Sequence, residues 1–104
     1  MNLEIMQVLV VSCAHITEEE SKLFEAAALE TTGHSVTLPG NLSSPMTWQY
    51  GWMFYIGDRG DSVTTEGLSP GMAAVIELAW NNKIEWVRFD TDGPVLDNIP
   101  SYDW

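Results

Sequence analysis

Alternating and continuous runs of apolar residues predict four strands along the chain. The stretch from Leu3 to Ser12 is rich in β-branched residues, which is typical of a strand buried on both faces and central in a sheet. A shorter alternation from His34 to Leu38 predicts a second strand. Trp48 to Ile56 predicts a long third strand with Trp48, Tyr50 and Trp52 on one face, and Ile84 to Phe89 predicts the fourth.

Two helices are predicted between these strands from their end signals. Thr17 and Glu20 have the spacing of a capping box, so the first helix begins here and is expected to end at Gly33. Ser69-Pro70 predicts the start of the second helix, because serine caps well and proline suits the first helical position. Asn81-Asn82 then predicts its end.

The resulting element order, β-α-β-β-α-β, predicts an α+β fold of the ferredoxin-like sandwich type. We expect an antiparallel sheet with both helices on one face. Residues 1–104 are expected to form a single domain, and the segment 91–104 is expected to pack back onto it because it holds several large apolar residues. The apolar second face of the sheet needs a cover, for which this tail or a second copy in a homodimer are the candidates.

The charge of the chain narrows the kinds of partner. The chain has fifteen carboxylate side chains and four basic ones, which gives a net charge of -11 and a pI near 4.1. Such a chain is repelled by nucleic acid and attracted to basic protein surfaces, although acidity can also serve solubility alone. The lone Cys13 allows no intrachain disulfide, and no signal peptide is recognised, so we expect a cytoplasmic protein without a membrane span.

Two groups of residues are candidates for chemistry. Cys13 and His15 follow the first strand, where a thiol and a base could act together, although a buried structural cysteine beside a strand-end histidine is the commoner case. Asp90 and Asp92 resemble part of a cation loop, but glycine and glutamate are missing from the required positions. In a ferredoxin-like sheet the two groups lie at opposite ends and form no common site. We therefore predict no catalytic residue, metal or cofactor.

Two surface features favour binding. The segment Thr31 to Gly57 has no charged residue but many aromatic ones, which indicates either core or a contact surface centred on Trp48, Tyr50 and Trp52. The helix dipole explains part of the acidity, at Glu18 and Glu19, but not the rest. All these carboxylates are candidates to contact a basic partner, and the set comprises Glu18, Glu19, Glu25, Glu30, Asp90, Asp92, Asp97 and Asp103.

Several short motifs resemble an uncharacterised family of short bacterial proteins that are frequent on plasmids, phages and other mobile elements. The resemblance covers both ends and the middle of the chain. Its motifs are Ser12-x-Ala14-His15-Ile16-Thr17, Tyr50-Gly51-Trp52, Leu68-Ser69 and Arg88-Phe89-Asp90-x-Asp92-Gly93 with the ending Tyr102-Asp103-Trp104. No catalytic residue is carried over from that family.

The resemblance implies a context in which small acidic proteins block host defence. The expected function is a non-enzymatic inhibitor of a nucleic-acid-targeting complex, such as a CRISPR effector or a restriction enzyme, that offers carboxylates to a basic surface. One alternative is a small hydrolase or metal-dependent enzyme that uses Cys13 and His15 or Asp90 and Asp92. A second alternative is an antitoxin-like accessory protein.

Overall fold

A computed structural model describes residues 3–29 and 37–104. Two helices and two short 3-10 turns accompany a four-stranded sheet. The strands are β1 (Val8–Ser12), β2 (Met46–Trp48), β3 (Gly51–Tyr55) and β4 (Trp86–Asp90), the helices are α1 (Glu18–Ala28) and α2 (Pro70–Asn81), and the 3-10 turns span Cys13–His15 and Pro39–Asn41. The sequence thus predicted the α+β class correctly.

The sheet is mixed, and its order differs from the ferredoxin-like prediction. The strands lie in the order β1-β4-β3-β2, with β1 and β4 parallel and the other neighbours antiparallel. The predictions of a fully antiparallel sheet and of a central β1 were therefore wrong. β4 occupies the place between β1 and β3, and β1 is at the edge, where Val10 is 37% exposed.

The predicted strand from Trp48 to Ile56 is instead a hairpin. Met46–Trp48 and Gly51–Tyr55 pair antiparallel, with Gln49 and Tyr50 in the turn. At Gly51 any Cβ would meet the Phe89 carbonyl oxygen of β4, so only glycine lets the two strands approach this closely. The short strand predicted from His34 to Leu38 lies mostly outside the described residues, and its last two residues are not in a strand.

Both helices begin where their caps predict, and one carboxylate joins the two starts. Thr17 and Glu20 form the predicted capping box, and Ser69 caps α2 with Pro70 in its first turn. The buried Glu20 carboxylate also accepts hydrogen bonds from Ser69, at 2.9 Å from the backbone nitrogen and 2.6 Å from the hydroxyl. Glu20 thereby fixes the N-terminus of α1 against that of α2. Asn82 caps the end of α2 as predicted, whereas Gly33 is outside the described residues.

The core lies between the helices and one face of the sheet. Strand register places Val11, Phe89 and Trp52 in one row of this face, and Val87 and Phe54 in the next. Burying large side chains such as these contributes roughly 1.5–3 kcal/mol each. Phe24 of α1 packs edge-on against Phe54, with 4.7 Å between ring centroids, and against Trp52 at 6.0 Å. These contacts attach α1 to the hairpin end of the sheet.

The second face of the sheet stays partly exposed among the described residues. Val10, Arg88, Met53 and Met46 form one row across this face. Met46 is 49% exposed, and Tyr55 in the adjoining row is 47% exposed. The tail is hydrogen-bonded to residues that follow β1 and to the start of α2, and not to this face of the sheet. It therefore leaves these side chains exposed.

Candidate functional site

The parallel pairing of β1 with β4 brings the two predicted chemical groups to one end of the sheet. Ser12 is the register partner of Asp90, so Cys13 follows β1 beside the point where Thr91 follows β4. The expectation that His15 and Asp90 lie at opposite ends was wrong, because it assumed antiparallel strands. Local sequence patterns do not determine which strands become neighbours, and this left the direction of pairing open.

His15 is fully buried and both its ring nitrogens are engaged by the tail. Nε2 accepts a hydrogen bond from the Leu96 backbone N–H at 2.9 Å, and Nδ1 lies 2.8 Å from the Pro100 carbonyl oxygen. The Leu96 N–H can bond only to a ring nitrogen that carries no proton, so Nε2 is the acceptor. The neutral tautomer with its proton on Nδ1 therefore satisfies both contacts. His15 therefore holds the tail and offers no free nitrogen to Cys13.

Further contacts seat the tail on the start of α2 and beside α1. The Tyr102 hydroxyl accepts from the Gly71 N–H at 3.0 Å, and the Trp104 indole donates to the Ile16 carbonyl at 3.0 Å. A Cβ at Gly71 would lie 2.4 Å from the His15 carbonyl oxygen and 2.7 Å from that of Pro100, so this helix turn needs glycine. We call His15, Gly71, Leu96, Pro100 and Tyr102 the tail anchor.

The environment of Cys13 keeps its thiol protonated. The side chain is buried and lies 4.0 Å from the Tyr50 carbonyl oxygen. Burial, and then the negative charge of Asp90, raise the pKa of the Cys13 thiol to about 11. A thiol nucleophile needs the opposite shift, because the thiolate is the reactive form.

A groove opens beside Cys13, between the β2–β3 turn, α1 and the end of the tail. Its volume is about 370 Å³, and a second recess that shares Cys13, Thr91 and Trp104 adjoins it. We call this site the aromatic groove, and its lining comprises Cys13, Glu25, Thr47, Gln49, Tyr50, Gly51, Trp52, Thr91 and Trp104. The Thr91 N–H donates to the Tyr50 carbonyl at 2.8 Å and so attaches the turn to the end of β4.

The predicted aromatic contact residues reach this groove only in part. Tyr50 and Trp52 line it, but from different elements, since Tyr50 lies in the turn and Trp52 in β3. Trp48 ends β2, with its backbone opposite Gly51. Sequence reasoning missed Trp104 as a groove residue. A large apolar group at a terminus was a signal that the tail packs somewhere, but it did not indicate where.

The predicted acidic residues differ in how close they lie to the groove. Glu25 lines the groove, and Asp90 lies near Cys13, where its carboxylate binds Arg88 and accepts from the Asp92 N–H at 2.8 Å. This last hydrogen bond closes the turn after β4, which accounts for the spacing of the two aspartates without a cation. Among the remaining residues, Glu18 pairs with Lys22 at 3.4 Å, Glu30 lies outside the described residues, and exposed positions are taken by Glu19, Asp92, Asp97 and Asp103.

Within residues 3–29 and 37–104, no three His, Cys, Asp or Glu side chains come together in a way that could hold a metal ion. No helix in the same part of the chain is long and apolar enough to cross a bilayer.

The described residues form a small α+β domain with a mixed four-stranded sheet and two helices. The chain belongs to the family of unknown function DUF5983, since residues 8–104 match the C-terminal domain of that family. No curated protein and no solved structure matches the chain.

Proposed function

We propose that this domain is a non-enzymatic binding protein that acts in the cytoplasm on a basic protein surface. The observation that carries the proposal is the aromatic groove, in which Tyr50, Trp52 and Trp104 stand beside the Glu25 carboxylate. Aromatic side chains supply much of the affinity at protein interfaces, and complementary charge speeds encounter and selects the partner. The net charge of -11 favours a basic partner.

The proposed target is a nucleic-acid-targeting defence complex of a bacterial host, such as a CRISPR effector or a restriction enzyme. These complexes hold nucleic acid in channels lined by arginine and lysine, which an acidic protein can occupy in its place. The resemblance to proteins of plasmids and phages supports this choice over other basic targets. The domain would then act as an inhibitor that needs no catalytic residue.

The side chains at the end of β1 favour binding over catalysis. An enzyme that used Cys13 and His15 would need a thiolate and a free imidazole nitrogen. Burial keeps the pKa of the Cys13 thiol high, and His15 is engaged at both nitrogens by Leu96 and Pro100. His15 therefore serves to hold the tail, and the Cys13 side chain lies against the β2–β3 turn.

Affinity capture from a bacterial lysate that contains a defence complex tests the proposal. The wild-type domain is compared with a variant in which Glu18, Glu19 and Glu25 are changed to glutamine. A matched control removes three charges from other exposed positions, with Glu4→Gln, Asp58→Asn and Glu66→Gln. Mass spectrometry identifies the captured proteins, and nucleic-acid cleavage by the purified target is then measured with and without the domain.

We expect a nuclease complex to be captured and inhibited by the wild type and by the control, and to be lost with the first variant. Equal capture by the two variants would contradict the role of these carboxylates. Capture of a basic protein unrelated to nucleic acid would point to the accessory-protein alternative. An active nuclease in the presence of saturating domain would rule out inhibition.

A further inference from the structure

We propose that the aromatic groove binds the guanidinium group of an arginine side chain from the partner protein. The inference rests on the proposed function, since it names the chemical group on the basic surface that this domain contacts. In this proposal the aromatic rings of the groove stack on the guanidinium cation, and the Glu25 carboxylate pairs with it.

The groove has the features of a site for an organic cation. The faces of tyrosine and tryptophan attract cations through the ring quadrupole, and Tyr50 and Trp104 are 45% and 54% exposed. Glu25 adds a negative charge to the lining.

No lysine or arginine side chain lines the groove. The chain has four lysine and arginine residues, all within the described part, and none of them lines it. Three of the four form salt bridges elsewhere, since Lys22 pairs with Glu18, Arg59 with Glu77 and Arg88 with Asp90. A cation that occupies this site therefore has to come from another molecule.

Size and shape favour arginine over lysine. A volume of about 370 Å³ is at the small end of the range for ligand pockets, so it suits one side chain better than an extended cofactor. A guanidinium is planar, stacks on aromatic rings and donates two parallel hydrogen bonds to a carboxylate, whereas an ammonium is a hydrated point charge. The side chains of Thr47, Gln49 and Thr91 supply oxygen acceptors for the remaining donors.

The protein itself contains an example of the same recognition. The Arg59 guanidinium carbon lies 5.2 Å from the Trp80 ring centroid, the group pairs with Glu77, and Nη2 donates to Asn81 at 2.7 Å. An aromatic ring, a carboxylate and an amide oxygen thus hold one arginine on the surface of α2. The aromatic groove presents the same three kinds of group without an arginine.

The test uses the purified domain and N-acetyl-arginine amide as the probe, followed by NMR. The chain has five tryptophan residues, so the indole N–H signals of Trp52 and Trp104 can be assigned and followed directly. N-acetyl-citrulline amide is the neutral isostere, and N-acetyl-lysine amide is the second cation. Glu25→Gln and Tyr50→Ser alter the groove, and Glu66→Gln, at an exposed position outside the groove, is the charge-matched control, with circular dichroism as the check on folding.

We expect arginine amide to bind with a dissociation constant of about 1 mM and to shift the indole signals of the groove. Citrulline amide and lysine amide are expected to bind at least about fivefold more weakly, and each groove variant to lose about fivefold in affinity for arginine. Glu66→Gln is expected to stay within about twofold of wild type.

Equal binding of arginine and citrulline, or of arginine and lysine, would overturn the proposal. Equal losses for Glu25→Gln and Glu66→Gln would also overturn it, as would shifts confined to residues outside the groove or no binding at millimolar probe. Because the host complex is absent from this experiment, its result is independent of target capture. Capture without arginine binding would leave the proposed function standing and remove only this inference.

Discussion

The tail anchor and the aromatic groove lie side by side at the same end of the β1–β4 pair, yet they use polar groups in opposite ways. In the anchor, the buried His15 ring has a backbone partner at each nitrogen, and Gly71 donates to the Tyr102 hydroxyl. In the groove, Glu25 is exposed, and the three salt bridges among the described residues use the carboxylates of Glu18, Glu77 and Asp90 instead.

The difference separates stability from binding. A buried polar group contributes to the fold when it is fully hydrogen-bonded, and its loss leaves partners without a hydrogen bond in a dry environment. An exposed carboxylate beside aromatic rings contributes little to folding and can be used for a ligand. Substitutions in the two regions should therefore affect different measurements, and Trp104, which joins them, should affect both.

His15→Ala is expected to show the largest effect on stability. The change leaves the Leu96 N–H and the Pro100 carbonyl without their partner and opens a cavity, so the free energy of unfolding should fall by about 3 kcal/mol. Urea unfolding measures this loss. The comparison variant is Glu25→Gln in the groove, which should change stability by less than about 0.5 kcal/mol. Similar values for the two variants would show that the anchor does not hold the tail.

Glu20→Ala is expected to have the next largest effect. Glu20 accepts hydrogen bonds from Thr17 and Ser69, so its removal breaks one half of the capping box and the link between the starts of α1 and α2, at a cost of about 2 kcal/mol. Thermal unfolding compares it with Glu19→Ala, an exposed neighbour in the same helical turn that should lose about 0.5 kcal/mol. If the two variants unfold alike, Glu20 acts only through the helix dipole, as its neighbours do.

The smallest expected effect concerns the reactivity of Cys13. Because its pKa is raised to about 11, alkylation by iodoacetamide should be slow near neutral pH and should speed up as pH rises toward that value. Asp90 contributes to the shift, so Asp90→Asn lowers the pKa of the thiol and should raise the rate at mildly alkaline pH by about twofold. Mass spectrometry gives the rates, and Asp92→Asn serves as the control for an equal change in charge. A slower reaction in Asp90→Asn would have the wrong sign for this explanation.

Predictions that depend on a few neighbouring residues were confirmed. The capping box of Thr17 and Glu20, the Ser69-Pro70 helix start and the Asn82 cap all lie where the sequence places them. Their accuracy has a simple reason, since a cap is a contact between residues two or three positions apart. The stretch from Trp48 to Ile56 was also recognised as strand-forming, although the strand residues Met46 and Thr47 were missed. The turn at Gln49 and Tyr50 was missed as well, because neither residue is a strong turn former.

The candidate site was predictable only as a collection of residue types. Tyr50, Trp52 and Glu25 were singled out for their chemistry, but no local pattern joined them, and Trp104 entered the groove through contacts of the tail with Ile16. The burial of His15 and Glu20 could likewise not be predicted from the sequence. Their partners, Leu96 and Ser69, are 81 and 49 positions away along the chain.

The amino-acid sequence by itself determined the class of the fold, the helix starts and the acidic character of the surface, because composition and short-range contacts govern these properties. Tertiary structure alone decided that β4 inserts beside β1 in parallel. That choice depends on how both helices pack over one face of the sheet and on how the β2–β3 hairpin joins the sheet beside β4, since many topologies share the same element order. It is this pairing that turned a thiol, a carboxylate and three aromatic rings from distant parts of the chain into one groove.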